Sequence, residues 1–74
     1  MDSAPVLTAR DIAALLVMYG FDDIEDLGNH NRFRHRDGRT TTVPDPPDGP
    51  VAPTLLRRIA NDVEMSLEAF LAGG

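Results

Sequence analysis

The chain has 74 residues, a net charge of −5 at neutral pH and no cysteine. This length suits one domain with a small core, and 42% apolar residues is too high a fraction for a disordered segment. The longest apolar run, residues 12–19, is far shorter than the roughly 18 to 20 residues of a membrane span, so we expect a soluble protein with no membrane partner. The missing cysteines exclude disulfides, and no secretory signal pattern is present, which favours the cytoplasm.

The basic charge is concentrated in one short segment. Residues 20–27 carry four acidic side chains and a net charge of −4. Residues 28–39 carry four arginines against one aspartate, a net charge of +3, and they also contain both histidines. The acidic total therefore does not exclude a nucleic acid partner.

The apolar spacing predicts two helices and a further helical turn. The first spans residues 8–19, with Thr8 as N-cap, an aspartate three residues later, and Gly20 where a left-handed cap belongs. The second is predicted to begin with Thr54 as N-cap. Ser66 can cap a short last helical turn.

Three strands are expected between the helices. The first, residues 21–27, has a poor strand pattern, because strict alternation would put two apolar and two acidic side chains on one face: Phe21, Asp23, Glu25 and Leu27. Residues 31–36 alternate clearly, with three arginines on one face. Asp37-Gly38 then predicts a hairpin turn into a β-branched strand over residues 39–43.

The predicted order is αβββα with one extra helical turn, an α+β two-layer sandwich. Two helices would cover one face of a three-stranded antiparallel sheet and leave the other face open. We expect residues 1–7 to form an N-terminal tail and residues 8–72 to form a single domain. Residues 44–53 hold five of the six prolines and are predicted to form a proline-rich loop.

One constellation suggests chemistry. His30 follows a glycine turn at the start of a strand, and arginines stand two, four, six and nine residues later. An imidazole can take the proton of a ribose 2′-hydroxyl while guanidinium groups hold the phosphate, which is what RNA transesterification requires without a metal. The alternative is that His30 is a surface turn residue and the arginines are the solvated face of an edge hairpin.

The sequence does not favour a metal site, a serine nucleophile or a phosphate-binding loop. His30 and His35 are five residues apart in a strand, so they point to opposite faces, and no third metal ligand stands at a suitable spacing. The serines and glycines form neither a nucleophile elbow nor a phosphate-binding loop, so we predict no cofactor. Phe33 fits an inward core position better than a base-stacking one.

The order and spacing of several short motifs resemble the HicA family of toxins. These motifs are Gly20-Phe21, Gly28-Asn29-His30-x-x-Phe33-x-His35-x-Asp37-Gly38, Val43-Pro44, Leu56-x-x-Ile59 and Ser66-Leu67-Glu68-Ala69-Phe70. The resemblance covers about residues 8–71. It implies a fold like that of double-stranded-RNA-binding domains, ribonuclease activity on messenger RNA, and inhibition by a HicB antitoxin.

The resemblance also assigns residues. The family histidine on which activity depends falls on His30, which we predict to be catalytic, and Asn29 takes the place of the usual serine. The predicted RNA contacts are Asn29, Arg32, Arg34, Arg36 and Arg39. The positions expected to be structural are Phe33, His35, Asp37, Gly38, Val43 and Pro44.

Two departures from the family pattern matter. The acidic residues of the first strand would lie beside the RNA path and repel phosphate, and Glu64 stands where a glycine is usual. The leading prediction is therefore a metal-independent endoribonuclease toxin with a HicB-like antitoxin partner. The alternative is a non-catalytic or degenerate module of the same fold that binds RNA or an antitoxin.

Overall fold

The computed structural model describes residues 7–44 and 49–73, which form an α+β fold. Its elements are α1 (Ala9–Met18), β1 (Phe21–Asp26), β2 (His30–His35), β3 (Thr40–Pro44), α2 (Pro53–Asp62) and α3 (Leu67–Ala72). The strands form one antiparallel sheet in the order β1-β2-β3, and α1 and α2 pack against it. The predicted αβββα order is confirmed, and α3 is the extra helical turn. Within the described residues, no helix is long and apolar enough to cross a membrane.

α1 is capped at both ends as its sequence predicts. The Thr8 hydroxyl accepts a hydrogen bond from the Asp11 amide, and the Asp11 carboxylate accepts one from the Thr8 amide at 2.9 Å, which completes a capping box. These bonds, the backbone one foremost, lower the pKa of Asp11. After the helix, Gly20 takes a φ of +94°, in the left-handed region that glycine enters at little cost.

A bulge at Ile24 interrupts β1. Asp23 pairs with Phe33 on β2, but the next pair joins Glu25 to Arg32, so Ile24 has no partner there. Strict alternation would put Asp23 and Glu25 on one face, and it does not hold in β1. The extra residue instead turns Glu25 to the face that carries Arg32.

The β2–β3 hairpin has a three-residue turn. The His35 amide donates to the Arg39 carbonyl at 2.9 Å, and the Gly38 amide donates back to the His35 carbonyl at 2.9 Å. Gly38 has a φ of +100°, as the left-handed position of such turns requires. The hairpin predicted from Asp37-Gly38 is confirmed.

α2 begins earlier than predicted. Its N-cap is Ala52 and its first helical residue is Pro53, so the prediction that Thr54 caps the helix is wrong. Proline suits the first helical position because its φ is already helical and the amide hydrogen that it lacks would have had no partner. Ser66 does cap α3 as predicted, since its hydroxyl accepts from the amide of Ala69 at 3.0 Å.

α2 ends in a Schellman motif. The Glu64 amide donates to the Asn61 carbonyl, and the Met65 amide donates to the Ala60 carbonyl, both at 3.0 Å. Glu64 therefore occupies the position after the C-cap and has a φ of +61°. It is the one residue other than glycine with a positive φ in the described chain.

The core lies between the helices and one face of the sheet. Its largest fully buried side chains are Ile12, Leu16, Phe21, Ile59, Val63 and Phe70. Phe33 is 2% exposed, so the prediction that it faces the core is confirmed. The Tyr19 hydroxyl is shared between the carbonyls of Phe70, at 2.8 Å, and Ala69, at 3.0 Å, and ties α3 to the end of α1.

The proline-rich loop lies partly outside the described residues, since residues 45–48 are not among them. Its later part runs beside the start of α1, where Thr8 and Pro50 form an antiparallel bridge. Leu7 packs against the core and accepts a hydrogen bond from the Val51 amide at 2.9 Å. The rest of the predicted tail, residues 1–6, lies outside the described residues, and the domain limits stay predictions.

Candidate active site

A tight turn sets the position of His30. The turn residues are Gly28, with a φ of +93°, and Asn29, and the Leu27 amide donates to the His30 carbonyl at 2.7 Å. Glycine at the first turn position with positive φ is typical of two-residue hairpins. The Asp26 carboxylate accepts from the Gly28 amide at 2.9 Å and holds the turn closed. His30 is consequently the first residue of the central strand.

The His30 ring is partly exposed and is oriented by its neighbour. Its Nδ1 lies 2.9 Å from the Asn29 side-chain oxygen. An amide oxygen can only accept, so this contact requires a hydrogen on Nδ1 and leaves Nε2 for a ligand. Asn29, which we predicted as an RNA contact, thus orients the His30 ring.

Two arginines share the open face of β2 with His30. Alternation puts His30, Arg32 and Arg34 on one side of the strand and the buried Phe33 on the other, as predicted. Residues two apart in a strand are separated by about 6.5 to 7 Å, so the three side chains form a row. Arg32 and Arg34 are exposed, and within the described residues no helix covers this face.

The row is flanked on one side by acids and on the other by hydroxyls. Asp22 pairs with Arg34 on β1, and Glu25 pairs with Arg32, with 3.7 Å between Arg32 Nε and Glu25 Oε1. Both members of this ion pair are about half exposed, so it contributes little to stability. On β3, threonines oppose the two arginines: Thr40 and Thr42.

The remaining predicted cations lie elsewhere. Arg36 is an exposed residue of the turn after β2. Arg39 is on the helix-covered side, where its guanidinium lies 5.2 Å from the Phe21 ring centroid, donates to the Val63 carbonyl at 2.6 Å and pairs with Asp37 at 2.9 Å. The structure therefore does not bring Arg39 together with His30.

His35 and Asp37 complete a cluster around Phe21. The His35 ring packs edge-on against Phe21 with 5.1 Å between centroids, and its Nδ1 accepts from the Asp37 amide at 3.1 Å. Hydrogen bonds from Arg39, chiefly from its side chain, lower the pKa of Asp37. A side chain on Gly20 would bring its Cβ within 3.1 Å of His35 Nε2. These contacts give His35 a packing environment on the side opposite to His30.

A further arginine, Arg58 on α2, reaches the edge of the open face and was missed by the sequence reasoning. Its guanidinium donates to the Thr42 carbonyl at 3.1 Å and to the Asp62 carboxylate at 2.8 Å. The same carboxylate accepts from the Thr41 hydroxyl at 2.9 Å. The four-residue spacing of Arg58 and Asp62 was the available signal, since it predicts an ion pair on one helix face.

A groove of about 130 Å³ lies between α1 and the sheet. Its lining includes Ala9, Arg10, Ala13, Asp23, Asn31, Phe33, Val43 and Pro44. Because Asn31 and Phe33 face the helices, this groove is on the opposite side of the sheet from His30. Among the described residues there is also no cluster of three side chains able to ligate a metal.

The comparison with protein families identifies the class of protein. A family model described as "HicA toxin of bacterial toxin-antitoxin" matches residues 9–65, most of the chain. The class is thus that of toxins from toxin–antitoxin systems, which have an antitoxin partner. The chain belongs to the HicA toxin family, as its motifs predicted. A search among curated proteins found no match.

Proposed function

We propose that this toxin is an endoribonuclease that cleaves messenger RNA at the open face of the sheet, in the cytoplasm, without a metal ion. His30 transfers a proton, and Arg32 and Arg34 bind the phosphate backbone. A HicB-like antitoxin inhibits the enzyme by covering this face. The observation that carries the proposal is the row of His30, Arg32 and Arg34 on one exposed face of β2.

The chemistry follows from the side chains in the row. Cleavage by transesterification makes the ribose 2′-oxygen attack the adjacent phosphorus, and negative charge grows on the phosphate oxygens. Guanidinium groups hold phosphate in a bidentate geometry and stabilise that charge. An imidazole next to the phosphate moves a proton to or from the reacting oxygens. The Asn29 contact leaves His30 Nε2 free for this task.

The direct test is cleavage of a long, unmodified messenger RNA by the purified protein, with chelator present and no ribosomes. His30→Ala and His30→Gln should fold normally, because the ring is partly exposed, and should lose cleavage. Loss of activity in both variants, with wild-type circular dichroism, supports the proposal. Equal cleavage by wild type and variants indicates a contaminant, and absence of cleavage by the wild type at low salt rejects the enzyme.

A second candidate function is binding without cleavage. Asp22 and Glu25 stand opposite the two arginines and weaken the positive field that would attract RNA. A module that binds RNA weakly, or that binds an antitoxin, without positioning a phosphate for cleavage would tolerate this arrangement. It predicts that the wild type binds RNA or an antitoxin but cleaves no RNA, even at low salt.

The arginines can be tested by the salt dependence of RNA binding, measured in the His30→Ala background. Each phosphate contact on a single strand contributes about −0.7 to the slope of log affinity against log salt. Arg32→Ala and Arg34→Ala should each make the slope shallower by about that amount. Arg10→Ala is the matched control, because Arg10 is an exposed arginine on the helix side of the sheet. An equal effect of all three variants would reject a specific path along β2.

A further inference from the structure

The bulge in β1 brings a carboxylate to the catalytic face. Without the unpaired Ile24, Glu25 would follow the alternation of Asp23 and face the helices. With the bulge, Glu25 faces the same side as Arg32 and contacts it at 3.7 Å. The bulge thus places a second carboxylate, besides that of Asp22, on the face that carries His30.

Glu25 is also close enough to act on a substrate held at His30. Glu25 pairs with Arg32, and His30 lies two residues before Arg32 on the same face. Diagonal neighbours of this kind in an antiparallel pair are about 7 to 8 Å apart and remain within reach of long side chains. The carboxylate therefore neighbours Arg32 across the two strands, and the imidazole neighbours Arg32 along β2.

Transesterification needs two proton transfers. The attacking 2′-hydroxyl must lose a proton, and the departing 5′-oxygen must gain one. A single imidazole can supply only one of these in the same step. We propose that Glu25 is a second catalytic residue, the general base that accepts the 2′-hydroxyl proton while His30 donates a proton to the leaving 5′-oxygen. This inference rests on the proposed ribonuclease function.

The assignment balances in atoms and charge. The 2′-oxygen forms a bond to phosphorus as its proton passes to the Glu25 carboxylate. The bond from phosphorus to the 5′-oxygen breaks as that oxygen takes the proton of the His30 imidazolium. The products carry a 2′,3′-cyclic phosphate and a 5′-hydroxyl. The carboxylate takes the base role because an ionised carboxylate only accepts hydrogen bonds, whereas an imidazolium only donates them.

A neighbouring acid gives a matched control. Asp22 faces Arg34 across the same two strands, but it lies two rungs further from His30. Glu25→Gln and Asp22→Asn each remove one negative charge from this face. If the acids merely repel RNA, both variants should bind and cleave better. If Glu25 is the base, the two variants should change kcat in different ways.

The experiment is single-turnover cleavage of a short single-stranded RNA by wild type, Glu25→Gln, Asp22→Asn and His30→Ala, with affinity measured separately. We expect Glu25→Gln to lower kcat about 100-fold or more, the range of a general base, while RNA affinity is kept or raised. Asp22→Asn should keep kcat. Gln retains an acceptor for Arg32, so a positioning role alone would cost little. Glu25→Asp should recover part of the rate.

The pH dependence of kcat tests whether Glu25 acts as a general base. A base must be ionised and an acid protonated, so wild-type kcat should fall at both ends of the pH range. Glu25→Gln should lose the fall on the acid side. The titratable and charged groups that face Glu25 in the described chain are Arg32, Arg34 and His30 on β2 and Asp22 on its own strand, while Asp23 and Asp26 pair with the helix-facing residues of β2 and α1 packs on the opposite face.

The outcomes separate the role of Glu25 from the proposed ribonuclease activity. A Glu25→Gln variant that cleaves as fast as the wild type, while His30→Ala is inactive, overturns the role of Glu25 and leaves the ribonuclease intact. A wild type that does not cleave overturns both. Circular dichroism shows whether a slow variant is folded, and Glu25 is half exposed, so its replacement removes no buried contact.

Discussion

Replacing Glu64 with glycine should make this protein more stable. Glu64 follows the C-cap of α2 with a φ of +61°, and its amide and that of Met65 complete a Schellman motif. The motif fixes the backbone in the left-handed region, where the Cβ of an L-residue is crowded by the carbonyl oxygen. Glycine has no Cβ and adopts this conformation without strain.

The expected gain is about 0.5 to 1 kcal/mol. A left-handed conformation costs an L-residue about 1 to 2 kcal/mol, and the greater freedom of glycine in the unfolded chain cancels about half of that relief. For a domain of this size, 1 kcal/mol corresponds to a Tm change of about 4 to 8 °C. Thermal unfolding should therefore show a Tm about 2 to 8 °C higher, and urea unfolding should show the gain in the free energy of unfolding.

Two control variants isolate the backbone effect. Glu64→Ala removes the carboxylate, which is unfavourable near the negative end of a helix, but keeps the Cβ. Glu64→Asn adds a side chain that tolerates the left-handed region better than most. We expect stability to increase in the order Ala, Asn, Gly. A glycine variant no more stable than the alanine variant would refute the argument from backbone conformation.

Three further predictions concern the ends of the sheet and helices. Gly20→Ala should cost more stability than Gly28→Ala, by at least about 1 kcal/mol in urea unfolding, because both have positive φ but only Gly20 faces a ring that a Cβ would crowd. Tyr19→Phe should lower stability by about 1 kcal/mol through the loss of its hydroxyl hydrogen bond, and an unchanged Tm would contradict this. Asp37 has a folded-state pKa below its usual value of 3.8, so its stabilising effect is present above that value and is lost as pH falls through the folded pKa. Unfolding measured from pH 7 to 2 should show a smaller acid-side loss in Asp37→Asn, and an identical loss would reject the link to Arg39.

The predictable parts of this fold depend on local chemistry. Thr8 caps α1 and Ser66 caps α3 because a hydroxyl bonds the amide three residues later, a relation visible in the sequence. Gly38 marks its turn because it needs a positive φ that other residues avoid. The side of β2 on which His30 lies follows from simple alternation.

The features that the sequence did not reveal depend on partners far along the chain. In the sequence, Arg39 resembles the other arginines of the hairpin. In the structure, its guanidinium donates a hydrogen bond to the carbonyl of Val63, 24 residues later. The bulge at Ile24 carries no glycine, and acids fill both faces of β1, so the alternation gives no sign of the change in register. Thr54 failed as a cap because a proline just before it already begins the helix.

Both edges of the sheet are poor templates for another strand. On β1, the bulge and the acidic side chains break the regular row of amides and carbonyls that an added strand would need. On β3, the guanidinium of Arg58 already occupies the Thr42 carbonyl. If an antitoxin covers His30 as proposed, it would contact the open face with its own side chains rather than by adding a strand to either edge. Its affinity would then come from the row of Arg32 and Arg34, which the acids of β1 border on one side. An acidic segment of the antitoxin that lies toward β3 would form ion pairs with these arginines and stay away from the acids of β1.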